Sequence, residues 1–560
     1  MFRIRDDRRQ SSVVIDRNKG AGRVINDRRY RRLSSFGNRL DQTHENRLAE
    51  IDTKRAGDPA TTRLESGTGS QLGSKGTPRK DDVTEPAPPL NDPPTASFVV
   101  VANRLPVDRV ENSDGGIAWR TSPGGLVAAF QPVMRRHRGA WVGWPGAPGE
   151  EVDPFIDDGI QLIPVTLSAG EVEDYYEGFS NATLWPLYHD VIAHPEFRRD
   201  WWERYVEVND RFAEQAATVA EEGGTVWVQD YQLQLVPHML RERRPDLRIG
   251  FFLHIPFPPT ELFNQLPWRR QILTGLLGAD LVGFQLPGGA QNFLRLVRTR
   301  LNLETRRDRI QTVDGRTVVA GSYPIAIDAT TMHDLARRPE TEERAKEIRH
   351  NLGDPETLFL GVDRLDYTKG LPERIRAFGE LFAEGLIDPE RVAFVQVATP
   401  SRERVEQYRQ LRDDIDRLVG RINGDIGRLG RAPITYLHTS FPHDEMAALY
   451  RAADIMVVTP LRDGMNLVAK EFVACRTEDR GALLLSEFAG AAYELRQAYL
   501  VNPYDIDGLK ERVLDAMNDS PRNHARRMKA LRRQVFENDI DRWASSFLAD
   551  LENVEPAGET

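Results

Sequence analysis

Residues 357–374 read TLFLGVDRLDYTKGLPER. The first eight are apolar almost without a break, which suits a strand buried on both faces of a parallel sheet rather than one with a wet face. Arg364 closes that strand, Lys369 follows five residues later, Gly370 lets the chain turn, and a helix opens around Pro372. Strand, tight loop and helix N-terminus in one short stretch make up most of a βα unit. They also bring two cations to the positive end of a helix dipole. A diphosphate needs such an arrangement, because charge-assisted hydrogen bonds contribute about 1.5–3 kcal/mol each. The competing reading is structural, with Arg364 and Lys369 engaged in ion pairs to Asp363, Asp366 or Glu373.

The same texture extends in both directions. Upstream, FVVVANR (98–104), TVWVQD (225–230), IGFFLH (249–254) and DLVGF (280–284) read as buried strands, each ending in a polar residue or a turn. After SYPIAID (322–328) the series restarts at 357–364 and continues through VAFVQVA (392–398), ITYLH (434–438), DIMVVT (454–459) and ALLLS (482–486). Helical stretches lie between them, such as 402–422, where Val405, Tyr408, Leu411, Ile415, Leu418 and Ile422 recur at steps of three and four. This βα repetition, twice over, predicts an α/β protein of two doubly wound, Rossmann-like domains facing a central cleft. The expected bounds are 96–330 and 331–520, with closing helices at 521–551 packing back toward the first domain. In open sheets of this kind a ligand lies beyond the carboxyl ends of the strands. Asn103, Arg104, Asp230, His254, Asp363 and Arg364 occupy those places.

Size and charge narrow the function. A chain of 560 residues exceeds what one core supports, about 250–300 residues, in line with two domains. No uninterrupted apolar run of about 18 residues occurs, so no membrane partner is expected. One cysteine, Cys475, excludes an internal disulfide and a cysteine-based zinc site, and it fits a reducing compartment, the cytoplasm. Residues 1–95 carry 19 Lys+Arg against 14 Asp+Glu, whereas the remainder carry 56 against 71. An acidic body argues against a nucleic-acid surface. The first 95 residues hold arginine clusters, a Gly/Ser/Thr-rich segment and EPAPPLNDPPT at 85–95. With too little apolar periodicity to offset the entropy of ordering, they are expected to form a disordered basic and proline-rich extension that turnover does not need. No G-x-G-x-x-G follows a strand and no G-x-x-x-x-G-K-[ST] appears, which removes the usual phosphate cradles of nicotinamide dehydrogenases and P-loop ATPases. Neither a cofactor nor a metal is expected.

Two further stretches carry chemistry. In TPLRDGMNLVAKEFVA (459–474) a turn holds Asp463 and Gly464, and a helix starting near Asn466 sets Leu467 and Glu471 one turn apart. The free amides of the turn suit a sugar or phosphate, and the ionised Glu471 offers two acceptor oxygens to a ribose diol. In the structural alternative Asp463 caps the helix and Glu471 pairs with Lys470 or solvent. At the start of the first domain, VVVANRLPV (99–107), SPGGL (122–126) and WVGWPG (141–146) combine Arg104, a phosphate fork, with Gly124 and Gly125, where backbone can approach a ligand closely. DYYEGFSNATLWP (174–186) adds Tyr176 and Trp185, suited to stack on a sugar ring or to donate to a phosphate; core packing is the alternative.

NRLPV, SPGGL, GFSNATLWPLYH, VWVQDYQLQLVP, FFLHIPFPP, VDRLDYTKGLPER, TPSRERVEQY and TPLRDGMNLVAKEFVA, in this order over about 97–550, resemble the signatures of the trehalose-6-phosphate synthase family, retaining glycosyltransferases of the GT-B type. The resemblance implies that Arg364 and Lys369 hold the diphosphate of a nucleotide-glucose, with amides near Leu467 assisting, Glu471 on the ribose and Gly125 beside the donor. It implies that Arg104, Tyr176, Trp185 and Arg402 hold glucose 6-phosphate, with Asp230 on acceptor hydroxyls. His254 lies near the transferred glucose and Asp463 on its hydroxyls in the same scheme. Gln229 stands where many relatives have histidine. The implied reaction proceeds with retention by front-face attack and gives α,α-trehalose 6-phosphate and a nucleoside diphosphate. The expected partners are a nucleotide-glucose, glucose 6-phosphate and further copies of the chain, as a dimer or tetramer. Two rivals are a catalytically silent regulatory subunit and a glucosyltransferase with another acceptor, such as a sucrose-phosphate or glycogen-type synthase.

Overall fold

Long runs of β-branched and aromatic residues bury strands on both faces, and two parallel sheets follow from them. The computed structural model describes residues 83–84, 95–111, 117–121, 134 and 139–554. The expected extension lies outside the described residues except for Thr95 and Val83–Thr84, which pair antiparallel with Trp119 and Arg120. Gly124 and Gly125 also lie outside.

In the first sheet Ala96–Arg104 is central. Ala140–Trp144 and Ile160–Pro164 lie on one side of it, and Ala220–Gln229, Arg248–Leu253, Leu281–Phe284 and Thr317–Ser322 on the other, all parallel. Short antiparallel strands, Phe155–Asp157 at one edge and Arg309–Gln311 with Thr305–Arg306 at the other, close the sheet. The strand order therefore reverses between Ala96–Arg104 and Ala220–Gln229, and Arg104 and Asp230 stand at that point.

The second sheet is wholly parallel. Val392–Thr399 and Ile434–Leu437 lie on one side of Thr357–Arg364; Ile455–Val458, Ala482–Ser486 and Tyr499–Val501 lie on the other. With six strands in the order 3-2-1-4-5-6, this is the doubly wound dinucleotide-fold arrangement, whose ligand crevice opens between strands one and four. Here those are Thr357–Arg364 and Ile455–Val458, so the loops starting at Leu365 and Thr459 must converge.

The chain crosses between the sheets on the extended segment 323–328. Its last helices, Pro521–Glu537 and Ile540–Glu552, touch both. Arg532 donates to the Val473 and Ala474 carbonyls at the end of helix Leu467–Cys475, while Phe547 stacks on Trp227 of the first sheet at 4.4 Å. Among the parallel strands of the two sheets, the sequence reading did not name Ala140–Trp144, Ile160–Pro164, Thr317–Ser322 and Tyr499–Val501. The helix expected over 402–422 instead spans Glu406–Ile426, because Arg402 adopts φ +50° and is used elsewhere.

Candidate functional site

The loop after Thr357–Arg364 is built from inside. Asp366 Oδ1 accepts from the Thr368 amide at 2.9 Å and shapes the turn Tyr367–Lys369. Gly370 then takes φ +64°, and a Cβ there would lie 2.3 Å from the Thr459 carbonyl oxygen, so only glycine lets the two loops meet before helix Leu371–Ala383 begins. Arg374, fully buried, holds the loops together. Its guanidinium donates to Asp363 Oδ2 (2.6 Å), Gln396 Oε1 (2.8 Å), Thr459 Oγ1 (2.9 Å) and the Lys369 carbonyl (3.3 Å).

Asp363 is thus the partner of Arg374. Lys369 reaches across the strand-order reversal to Asp463, Nζ to Oδ2 2.7 Å. Burial pushes the Asp463 carboxyl up, but Lys369 and the Asn466 amide outweigh it and hold it below its ordinary range. The helix cap that the structural alternative assigned to Asp463 belongs to Asn466, whose side chain accepts from the Ala469 amide at 3.0 Å. Gly464, next to Asp463, lies against the first sheet's loop: a Cβ there would be 2.4 Å from the His254 carbonyl oxygen.

A second cluster forms on Trp185. It follows the π-helical turns Val172–Leu184, which also carry Tyr176. The Arg402 guanidinium lies 3.8 Å from the Trp185 ring and that of Arg364 5.4 Å from it, so two cations from two loops of the second sheet meet one aromatic ring of the first. Arg402 donates to the hydroxyls of Tyr408 and, at 3.1 Å, Tyr231, and faces Asp366 Oδ2 at 3.4 Å. Its Nε is buried with no partner, as is Trp185 Nε1. Three cations, Arg364, Lys369 and Arg402, therefore gather here with three carboxylates, Asp366, Asp463 and Asp230, the last of which acts on both Arg364 and Arg402, and an anionic ligand would draw on the same three cations.

At the first sheet's reversal Asp230 takes φ +69°, a strained state held by its surroundings. Its Oδ1 accepts from the His254 amide at 3.1 Å, and burial pushes its carboxyl up to about 6. His254 is pushed down to about 3 by burial and stays neutral. Gln229 donates to the Trp227 carbonyl (3.3 Å) and presents Oε1 to His254 Nε2 at 3.0 Å, so the ring carries its proton on Nε2. Arg104 stands apart from Trp185: it pairs with Asp108 at 2.7 Å and lies 5.1 Å from Trp144, which Tyr176 flanks at 6.3 Å. Leu467 opens its helix, and Glu471 accepts from the Tyr450 hydroxyl at 2.8 Å rather than pairing with Lys470, which is bound to Glu494.

The structure therefore brings together Arg364, Lys369, Asp463, Trp185 and Arg402, with Asp230 and His254 on the facing strand ends. Gly125 lies outside the described residues. Sequence reasoning missed Arg374, Tyr231 and Tyr450, and it took Asp366 only as an ion-pair partner of Arg364 or Lys369 and Tyr408 only as part of a helix's apolar face. Arg374 lies within 357–374, but a buried partner gives no periodic signal.

Two Rossmann-like sheets joined across their reversal points by a cation-rich gap define a glycosyltransferase of the GT-B type. Residues 96–553 match the model of glycosyltransferase family 20, and the chain belongs to that family. It is 59% identical over 483 residues to the trehalose-6-phosphate synthase of Mycolicibacterium gilvum, covering 83% of this chain and 96% of that one. An E. coli protein solved with UDP-2-fluoro glucose bound aligns with TM-score 0.75 and 34% identity, covering 82% of this chain and 99% of that one. An α,α-trehalose-phosphate synthase from Burkholderia xenovorans, solved with glucose-6-phosphate, aligns with TM-score 0.74 and 33% identity, over 81% and 100%. The motif resemblance is borne out, and the chain is an enzyme of this class.

Proposed function

We propose that this chain transfers glucose from a nucleotide-glucose, UDP-glucose foremost, to glucose 6-phosphate with retention, releasing α,α-trehalose 6-phosphate and the nucleoside diphosphate. The observation that carries this reading is the pair of arginines at Trp185, 5.4 and 3.8 Å from its ring. Two cations gathered at one ring suit two phosphate-bearing substrates that must meet, and a polymer acceptor has no terminal phosphate for Arg402. The ligands of the E. coli and Burkholderia relatives support the same assignment of donor and acceptor.

In this scheme Arg364 and Lys369 hold the donor diphosphate and Glu471, steadied by Tyr450, the ribose. Asp463 meets hydroxyls of the transferred glucose, and Gly125 the donor. Arg402, Trp185, Tyr176 and Arg104 hold the acceptor, with Asp230 on its hydroxyls. As the glycosidic bond lengthens, negative charge builds on the leaving phosphate oxygen, which takes the proton of the acceptor's anomeric hydroxyl as attack occurs from the same face. Lys369 and Arg364 stabilise that charge, an effect that grows toward the transition state. His254, neutral, serves as a polar contact rather than a charge. Assembly as a dimer or tetramer in the cytoplasm belongs to the same proposal. Among the described residues no helix is long and apolar enough to cross a membrane.

The test is product identification. The purified chain, glucose 6-phosphate and UDP-, ADP- or GDP-glucose are mixed, and the disaccharide phosphate is resolved by chromatography and its anomeric couplings by NMR. An α,α-1,1 linkage with at least one donor is expected. No disaccharide, or a β linkage, would overturn the proposal.

A further inference from the structure

Asp366 has no solvent exposure, so it touches no ligand, yet each of its oxygens serves a different loop. Oδ1 accepts from both the amide and the hydroxyl of Thr368, each at 2.9 Å, and thereby builds the turn that delivers Lys369. Oδ2 faces Arg402 Nη1 at 3.4 Å and the Tyr408 hydroxyl at 3.3 Å. Tyr408 in turn accepts from Arg402, and Arg402 donates to Tyr231, whose hydroxyl is anchored on Asn181 Oδ1 at 2.7 Å. One buried carboxylate therefore spans the donor-side turn and the acceptor-side arginine.

Arg402 needs that support. Its backbone sits at φ +50°, a conformation that an arginine adopts only when its surroundings impose it. Its guanidinium lies over the Trp185 ring, which the cation Arg364 also approaches. The Asp366 carboxylate, bonded to Arg402, also acts on Arg364; without its charge the repulsion between the two cations would grow, and the segment before helix Glu406–Ile426 could relax away from the ring.

We propose that Asp366 is a positioning residue that couples the two substrate sites, so that a diphosphate held at Lys369 presets Arg402 for a sugar phosphate. The mechanism is mechanical linkage through a single rigid group. An anion that pins the turn Tyr367–Lys369 pins Asp366 Oδ1, hence Oδ2, and hence the guanidinium that meets the second anion. Two anions in one gap otherwise repel, so cooperative binding requires such a link. The inference rests on the assignment of Lys369 to the donor and Arg402 to the acceptor made above.

Calorimetry on the full chain tests it with UDP and glucose 6-phosphate, a pair that binds without turnover. For the unaltered protein, saturating UDP is expected to lower the Kd of glucose 6-phosphate by about tenfold, within the usual span of allosteric coupling. In Asp366→Asn, which keeps an acceptor for Thr368 but loses the charge, that ratio is expected to fall to within about twofold of unity, with UDP alone still bound. Retention of the full ratio would overturn the inference. So would loss of UDP binding itself, which would confine Asp366 to shaping the turn. If Asp366→Asn does not fold, Tyr408→Phe decides: it removes the hydroxyl between Asp366 and Arg402 without touching Thr368, and an unchanged ratio there sinks the idea. An unaltered protein that turns over but shows no coupling refutes only this inference, whereas one that makes no disaccharide phosphate refutes the proposed function.

Discussion

Replacing Lys369 with alanine is expected to lower kcat by about 10²–10³, or about 2.7–4 kcal/mol, the usual loss when one donor aimed at developing charge is removed. The size follows from position. Lys369 Nζ is 2.7 Å from Asp463, with both side chains largely withdrawn from water, so its charge acts in a medium that screens little. In the ground state a bound diphosphate must share Lys369 with Asp463, and the net gain is small. The gain grows as the leaving oxygen becomes more negative, so the loss falls on kcat rather than on the KM for glucose 6-phosphate. A second consequence concerns Asp463. With Lys369 gone its remaining side-chain partner is the Asn466 amide at 3.2 Å, and burial then pushes the carboxyl up instead of being outweighed. The ionised form is lost at a higher pH than before, so the acid limb of the residual kcat/KM profile moves upward. Steady-state release of nucleoside diphosphate at saturating donor and acceptor reads the first effect, and a pH series reads the second. A kcat within about threefold of the parent, or a loss carried equally by acceptor KM, would refute the reasoning.

Tyr450→Phe removes the hydroxyl that holds Glu471 and is expected to raise the donor KM by about tenfold, near 1.4 kcal/mol, with kcat close to the parent; steady-state kinetics with varied donor check the split. Gly464→Ala places a Cβ 2.4 Å from the His254 carbonyl oxygen, and backbone on both sides leaves no room to yield. A loss of about 1–3 kcal/mol of stability is expected on urea unfolding, together with reduced turnover. Acid destabilisation has a defined sign. His189 and His254 are pushed down to about 4 and about 3 by burial, so below about 6.5 the unfolded chain takes protons that the folded one refuses. Each histidine removes roughly 2 kcal/mol by pH 5, while Asp230, pushed up to about 6, is protonated in the folded state and returns roughly 1 kcal/mol. A urea midpoint that does not fall between pH 7 and pH 5 contradicts this. Deleting residues 1–76, outside the family match at 96–553, is expected to leave kcat and both KM values unchanged in the same assay.

What sequence alone determined here was whatever depends on neighbours along the chain. Continuous apolar runs ending in polar residues mark buried strands here, so the α/β class, the placing of Arg364, Asp230 and His254 at strand ends and that of Lys369 in the loop that follows were readable. Gly370 and Asn466 were readable too, as a turn and the start of a helix, since backbone freedom and capping are local properties. Tertiary structure alone decided which charges meet. Lys369 and Asp463 are 94 residues apart and pair because strands one and four of the second sheet are neighbours, a matter of strand order rather than spacing. Asp363, one residue from Arg364, turns away from it to Arg374, and Arg402 leaves the helical register its neighbours advertise to reach Trp185 across the gap. Local propensities differ by less than about 1 kcal/mol per residue, whereas a buried charge without a partner is several times more unfavourable. Long-range electrostatics therefore settles the site after local pattern has settled the fold.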